Sequence, residues 1–336
     1  MRIRDIEAKP GERAFGYLEA SKTKSQVPVH IPVNILNGAH DGPTLLVSGA
    51  VHGAEIVGGL GLAKIMRELD LQKLRGALIA APIMNTSAFE IGERLTGFDG
   101  ENMDRTLDTA DPDGSPSAQL AHVYLTELLE PADAVINMHS GATDTAVWYT
   151  IYPGEYGDPD VIKKSRQMAM AFGLRQIFRS TPKSWEGFHT VAKDQGKPAI
   201  MPEIGGGPDF LNNGHAQIAQ AEQSIKNVMI LFDMIDGEIV TETETVEVFD
   251  AIHEIDAGTN SGILIWQCER GDFLKKGDVF AHVYHPYTGE LTGQILAPAD
   301  GTVLNTGKVW PPVSQGEWLT ILGDLVEEVR FSDELP

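Results

Sequence analysis

Apolar runs of strand length alternate with longer segments of helical periodicity through most of the chain. The run Thr44–Ser48 is bounded by Gly42-Pro43 and Gly49, which is typical of a buried strand in a parallel sheet. After a tight turn, Glu55–Leu69 carries apolar residues at helical spacing. The same reasoning predicts strands over Ala77–Ile83, Ala134–Met138 and Ala199–Met201, and helices over Ser117–Leu129, Pro159–Phe172 and Asn213–Met234. This alternation predicts an α/β fold with a mostly parallel mixed sheet flanked by helices.

The pattern of apolar and polar residues changes after about Thr241. Short β-branched and aromatic runs are separated there by turn pairs such as Gly271-Asp272 and Asp300-Gly301. We therefore predict two domains, a catalytic α/β domain over residues 1–240 and an all-β domain over residues 241–336. A chain of 336 residues is long enough for both, since single cores stop growing at roughly 250 to 300 residues.

The charge balance limits the partners that the protein can have. Asp and Glu number 48 against 26 Lys and Arg, a formal net charge of −22, so the surface repels nucleic acid and acidic membranes. Cys268 is the sole cysteine, which excludes an intrachain disulfide and a thiolate metal cluster. Because the sequence has neither a signal-peptide pattern nor an apolar run of the ~20 residues that cross a bilayer, we predict a cytoplasmic protein without a membrane partner. The sequence leaves open whether the chain forms a homo-oligomer.

Two short motifs follow predicted strands and offer metal ligands. VHGAE places His52 and Glu55 on either side of a strand-to-helix turn, and NMHSGA places His139 at the end of a second strand. The carboxyl ends of parallel strands share one edge of a sheet, so these three side chains can reach one point. Two His and one Glu with a vacant position are a known catalytic zinc set, because three protein ligands leave room for a water. We therefore predict one Zn²⁺ per chain.

Further chemistry is expected from one carboxylate and two arginines. Glu203 stands in MPEIGGGPD at the end of a third predicted strand. A carboxylate beside an activated water can take its proton and pass it to a leaving amine, so we predict that Glu203 is the general base. The polar stretch ERLTGFDGENMDR offers Arg94 and Arg105 in a chain that is short of positive charge. The planar guanidinium suits a carboxylate or a developing oxyanion.

Together, VHGAE, NMHSGA, MPEIGGG and GENMDR resemble the motifs of the succinylglutamate desuccinylase and aspartoacylase family, a branch of the zinc carboxypeptidase superfamily. The resemblance implies a carboxypeptidase-like fold whose C-terminal β domain rims the site. It also implies a zinc-dependent hydrolase that cleaves the amide bond of a small N-acylated amino acid. By the same resemblance, Arg94 steadies the oxyanion, while Asn102 and Asp104 belong to a substrate-binding segment in which Arg105 binds the substrate carboxylate. Family members that deacetylate N-acetyl-diaminobutyrate are similar in these motifs.

One position departs from the family's pattern. Asp104 stands beside Arg105 where the family usually has Asn. We hypothesise that Asp104 either holds Arg105 in place or favours a substrate that bears an ammonium group. Two other functions are compatible with the sequence. A metallocarboxypeptidase acting on short peptides would use the same metal and base, and a catalytically lapsed metal- or metabolite-binding protein would keep only the binding groups.

Overall fold

The computed structural model describes residues 1–143, 145–154, 157–180, 187, 192–207, 209–305 and 312–335. The N-terminal half contains β1 (Arg2–Ile3), β2 (Ile6–Glu7), β3 (Arg13–Lys22), β4 (Pro28–Asn37), β5 (His40–Ser48), α1 (Val57–Glu68), β6 (Arg75–Ala81), α2 (Thr86–Ile91), α3 (Pro116–Val123), β7 (Ala134–Asn137), β8 (Val147–Pro153) and α4 (Pro159–Phe172). The C-terminal half contains β9 (Gln176–Ser180), β10 (Ala199–Gly205), α5 (Asp209–Leu231), β11 (Thr245–Asp256), β12 (Gly262–Trp266), β13 (Phe273–Leu274), β14 (Val279–Tyr284), β15 (Leu291–Leu296), β16 (Gly301–Val303), β17 (Pro312–Val313), β18 (Trp318–Arg330) and α6 (Phe331–Glu334). Short 3₁₀ turns lie at Met103–Arg105 and Leu107–Thr109, and a π-helical turn, Tyr124–Leu129, continues α3.

Most of these strands join one large mixed sheet. Its strand order is β13-β16-β18-β11-β9-β8-β10-β7-β5-β6-β4-β3. Strands β6, β5, β7 and β10 run parallel to one another. Both ends of the sheet pair antiparallel, through β3 and β4 on one side and through β18, β16 and β13 on the other. The mixed α/β architecture predicted from the alternation of strands and helices is confirmed.

Helices cover both faces of the parallel part of the sheet. Residues of α1, α4 and α5 share one buried apolar cluster, and α3 packs into another cluster with β3 and β4. Helix α1 approaches the sheet closely, since a Cβ on Gly58 would lie 2.3 Å from Cβ of Met138. Gly58, in the first turn of α1, therefore allows this close packing. No helix within the described ranges combines the length and apolarity needed to cross a bilayer.

The C-terminal region is rich in β-structure and is joined to the large sheet. Strands β15, β14, β12 and β17 form a separate four-stranded sheet with a core that includes Leu264 and Phe280. Strand β11, however, pairs parallel to β9 and antiparallel to β18. Backbone hydrogen bonds thus cross the predicted boundary at residue 240, and the division into two domains stays a prediction.

Several predicted boundaries shift in ways that affect the site. The helix expected over Glu55–Leu69 begins at Val57, which leaves Glu55 in the preceding turn. The strand expected over Ala199–Met201 continues to Gly205, so Glu203 lies inside β10 and not beyond its end. The reason is antiparallel pairing with β8, which continues past the proline from Met201 to Gly205.

Candidate metal centre and active site

The turn between β5 and α1 presents two of the predicted ligands. The backbone N–H of Glu55 donates to the carbonyl of His52 (3.1 Å), which closes the turn and directs both side chains to the same side. A Cβ on Gly53 would lie 1.9 Å from the carbonyl oxygen of Ala88, so only glycine allows this turn to pack against α2. The local sequence therefore fixes the distance between the turn and the loop that carries Arg94.

The third predicted ligand lies just beyond the next strand of the sheet. His139 is two residues past the end of β7 and forms an isolated parallel bridge with Glu203 on β10. The N–H of His139 donates to the carbonyl of Pro202 (2.8 Å), and the N–H of Ile204 donates to the carbonyl of His139 (3.1 Å). These backbone hydrogen bonds hold Glu203 beside the histidine by main-chain geometry.

The three predicted ligands meet at one buried point. Nδ1 of His52 lies 2.8 Å from Oε1 of Glu55, and Nδ1 of His139 lies 3.0 Å from Oε2 of the same carboxylate. One ligand atom from each residue falls within 4.8 Å of the others. His52, Glu55 and His139 are respectively 1%, 3% and 2% exposed. The prediction that these residues converge agrees with the structure, and the cluster could hold a metal ion.

The hydrogen bonding of His52 fits a metal ligand. Its Nε2–H donates to Oδ1 of Asn102 (3.0 Å). A neutral imidazole protonated on Nε2 carries its lone pair on Nδ1, and this atom faces the carboxylate of Glu55. Electron-rich atoms that converge away from water need a cation or a proton between them. The donor set of two imidazoles and a carboxylate suits a divalent metal.

Without a metal, the carboxylate of the cluster favours a protonated side chain at His139. Burial favours the neutral form of Glu55, but the charges and hydrogen bonds of His52 and His139 outweigh burial and hold the pKa of this carboxyl well below its usual range. Burial also disfavours the charged form of His139, yet the hydrogen bond and charge of Glu55 raise the pKa of His139 to about 9. The site thus favours positive charge among its ligands.

Glu203 has the opposite electrostatic character. Its enclosure, followed by the negative charge of Glu55, raises the pKa of Glu203 to about 8. A carboxylate with a raised pKa is a stronger base, which suits proton transfer near neutral pH. Tyr149 lies opposite Glu203 in the register of β8 and β10, and burial, with the charges of Glu203 and Glu55, raises the pKa of this phenol well above its ordinary value. The sequence did not single out Tyr149, because nothing in its local pattern distinguishes it from a core residue.

The two arginines have different surroundings. Nη1 of Arg94 donates to Oε1 of Glu55 (3.0 Å), while 52% of the Arg94 side chain is exposed. Arg105 is exposed, and no ion pair to it is found among the described residues. Arg94 therefore lies at the cluster, and Arg105 lies at the surface.

The segment predicted to bind substrate also contacts the histidines. Asn102 accepts from His52, as described above, and Oδ1 of Asp104 lies 4.0 Å from Nε2 of His139. The side-chain amide of Asn137 lies 2.8 Å from the same Nε2 atom. Asn137 was not predicted, although its position two residues before His139 on a strand places both side chains on one face.

The fold and the site together define the class of the protein. A buried His–Glu–His cluster with a neighbouring carboxylate, at the carboxyl edge of the parallel strands, is the arrangement of a hydrolase active site. The sequence profile of the succinylglutamate desuccinylase/aspartoacylase catalytic domain matches residues 41–231. The chain belongs to this family, as the motif resemblance implied.

Individual relatives match over almost the whole chain. The N-alpha-acetyl-L-2,4-diaminobutyric acid deacetylase of Halomonas elongata is 28% identical over 331 residues, which cover 97% of this chain and 95% of the relative. The product-bound structure of the ectoine utilization protein EutE (DoeB) from Ruegeria pomeroyi has a TM-score of 0.81 at 23% identity, over 94% of this chain and 96% of that chain. A succinylglutamate desuccinylase/aspartoacylase structure from Rhodobacter sphaeroides has a TM-score of 0.83 at 21% identity, over 97% and 100% of the respective chains. The two structural likenesses confirm the predicted fold.

Proposed function

We propose that the protein is a zinc-dependent deacylase that cleaves the amide bond of a small N-acylated amino acid. The observation that carries this proposal is the convergence of His52, Glu55 and His139 beside Glu203. One Zn²⁺ ion per chain, held by the first three residues, would supply Lewis acidity that polarises a carbonyl and acidifies a water. We also propose a cytoplasmic location, because a single half-buried cysteine suits a reducing compartment.

Three residues around the cluster are proposed to transfer a proton, to stabilise the oxyanion and to bind the substrate. Glu203 accepts a proton from the attacking water at a carboxylate oxygen and delivers it to the nitrogen of the leaving amine. Arg94, at the mouth of the cluster, donates to the oxyanion that develops on the scissile carbonyl. Arg105 binds the carboxylate of the amino-acid product, because the residue is exposed and has no ion pair within the described residues.

The substrate that we propose first is an N-acetylated diamino acid. Support comes from the Halomonas elongata relative, which is named for N-alpha-acetyl-L-2,4-diaminobutyric acid and aligns over 97% of this chain.

The C-terminal region is also proposed to border the site. In support, Nη1 of Arg270 donates to the carbonyl of Trp148 (3.4 Å) on β8, the strand that pairs with the one carrying Glu203.

A substrate screen tests the proposal. Zinc-loaded protein is incubated with N-acetyl-2,4-diaminobutyrate, N-acetylaspartate, N-succinylglutamate and short unmodified peptides, and the released primary amine is measured. We expect hydrolysis of at least one N-acyl amino acid and none of the peptides. Release of C-terminal residues from the peptides alone would identify a metallocarboxypeptidase, and absence of all hydrolysis would identify a binding protein.

A further inference from the structure

The two nitrogens of His139 face different partners. Nδ1 lies 3.0 Å from Oε2 of Glu55 and is the atom that a metal would bind. Nε2 points away from the cluster toward the side-chain amide of Asn137 and the carboxylate of Asp104, at 2.8 and 4.0 Å. A ligating Nδ1 must be unprotonated, so the ring proton must reside on Nε2.

A proton on Nε2 needs an acceptor, because His139 is buried. The amide oxygen of Asn137 accepts from Oγ of Ser48 (3.1 Å), which directs the amide nitrogen, a donor, toward Nε2. In that arrangement the amide N–H of Asn137 and the Nε2–H of His139 would face each other once Nδ1 binds a metal, and both groups are donors. Rotating the amide removes the conflict, since the serine hydroxyl can also accept. In both orientations the carboxylate of Asp104 lies within 4.0 Å of Nε2, and its charge stabilises the proton on this atom.

The position of Asp104 argues against its acting directly on substrate. The residue is 8% exposed, which leaves little surface for a substrate ammonium. No ion pair joins it to Arg105, whereas one of its oxygens faces His139. At 4.0 Å the contact is too long for a hydrogen bond, so the effect is electrostatic or requires a small shift on metal binding.

We propose that Asp104 is a positioning residue that keeps the proton of His139 on Nε2 and thereby keeps Nδ1 available to the metal. This inference rests on the proposed function, because it assumes a metal at the His–Glu–His cluster. The turn that holds Asp104 also holds Asn102, which accepts from Nε2 of His52. One short turn therefore places a neutral partner, Asn102, beside Nε2 of His52 and an anionic partner, Asp104, near Nε2 of His139.

The test measures metal binding directly. Asp104→Asn removes the charge and keeps the size, and Asp108→Asn, in the next turn and exposed, is the matched control. The dissociation constants for Zn²⁺ and Co²⁺ are measured by competition with a chromophoric chelator. The visible bands of the Co²⁺-loaded protein report the ligand geometry. We expect Asp104→Asn to weaken binding about 10- to 100-fold and to shift the Co²⁺ bands, and Asp108→Asn to change neither.

A double variant separates this role from direct substrate binding. Asp104→Asn combined with Asn137→Asp moves the carboxylate to the 2.8 Å contact with the same nitrogen. We expect it to restore the metal affinity and the Co²⁺ spectrum. Unchanged metal affinity in Asp104→Asn would overturn the inference, as would a double variant that binds as weakly as the single one. If the single variant fails to fold by circular dichroism, a folded double variant with wild-type affinity supports the inference and a weak one overturns it. A wild-type protein that binds no metal would instead refute the proposed function.

Discussion

Glu203→Gln is the variant that most directly tests the catalytic assignment. The side chain keeps its size, and the bridge to His139 is made by the backbone, so the ligands should stay in place. Only the ability to accept a proton is lost. A general base contributes about 10²- to 10⁴-fold, so we expect kcat to fall by that factor, which corresponds to roughly 3–5 kcal/mol of transition-state stabilisation.

The same substitution should stabilise the metal-free protein. The pKa of Glu203 is raised from 4.5 to about 8 by its enclosure and by Glu55, so ionisation is easier in the unfolded chain than in the folded one. The wild type therefore loses stability as the pH rises from about 4.5 to about 8, and the loss is absent below that window. At pH 7 the difference amounts to at most about 3 kcal/mol.

The assay combines steady-state hydrolysis of the best N-acyl amino acid, zinc stoichiometry and urea unfolding of chelated protein at pH 5 and pH 7.5. Glu90→Gln, an exposed change in α2, is the control for the substitution itself. We expect Glu203→Gln to bind zinc, to lose activity and to gain clearly more stability at pH 7.5 than at pH 5. A fully active Glu203→Gln enzyme would refute the assignment of the base, and an equal gain at both pH values would refute the electrostatic explanation.

Three further outcomes are expected. Arg105→Ala should raise KM about 10- to 100-fold with little change in Tm, because Arg105 is exposed and has no ion pair among the described residues; an unchanged KM would show that it does not bind the substrate carboxylate. Gly206→Ala should destabilise the protein by at least about 2 kcal/mol in urea unfolding, since its Cβ would lie 1.8 Å from the carbonyl oxygen of Gly141 and its φ is +91°; wild-type stability would contradict this packing. Chelation should abolish hydrolysis and lower Tm, and Zn²⁺ at ~1,000 times its dissociation constant should restore about 4 kcal/mol; activity that survives complete metal removal would contradict the metal assignment.

The convergence of the ligands could be predicted from the sequence because it follows from strand direction. His52 and His139 each come after an apolar run, and parallel strands bring such positions to one edge. The structure adds that β5 and β7 are immediate neighbours, with Ser48 opposite Asn137. Strand order depends on contacts distant in sequence, and no local pattern encodes it.

Other features of the site could not be predicted for the same reason. Pro202 and the glycines after Glu203 are typical of a strand end, yet pairing with β8 extends β10 through Gly205. The β3–β4 hairpin was missed as well, although β4 pairs with β6 and completes that side of the sheet. The partners of each imidazole nitrogen depend on ångström-scale distances between segments, which periodicity does not specify.

Charge provides an independent argument for the proposed metal at the cluster. Glu55, Glu203 and Asp104 all contribute to the electrostatics of His139, while Arg94 is the guanidinium hydrogen-bonded to the cluster. With all of these groups ionised and the histidines neutral, three carboxylates outnumber one guanidinium by two charges. Isolated buried charge is costly, so the cluster needs either protons or a cation. The raised pKa values of His139 and Glu203 indicate that protons are bound when no metal is present. A divalent metal held by His52, Glu55 and His139 would offset both charges, would leave the histidines neutral and would allow Glu203 to ionise as a base.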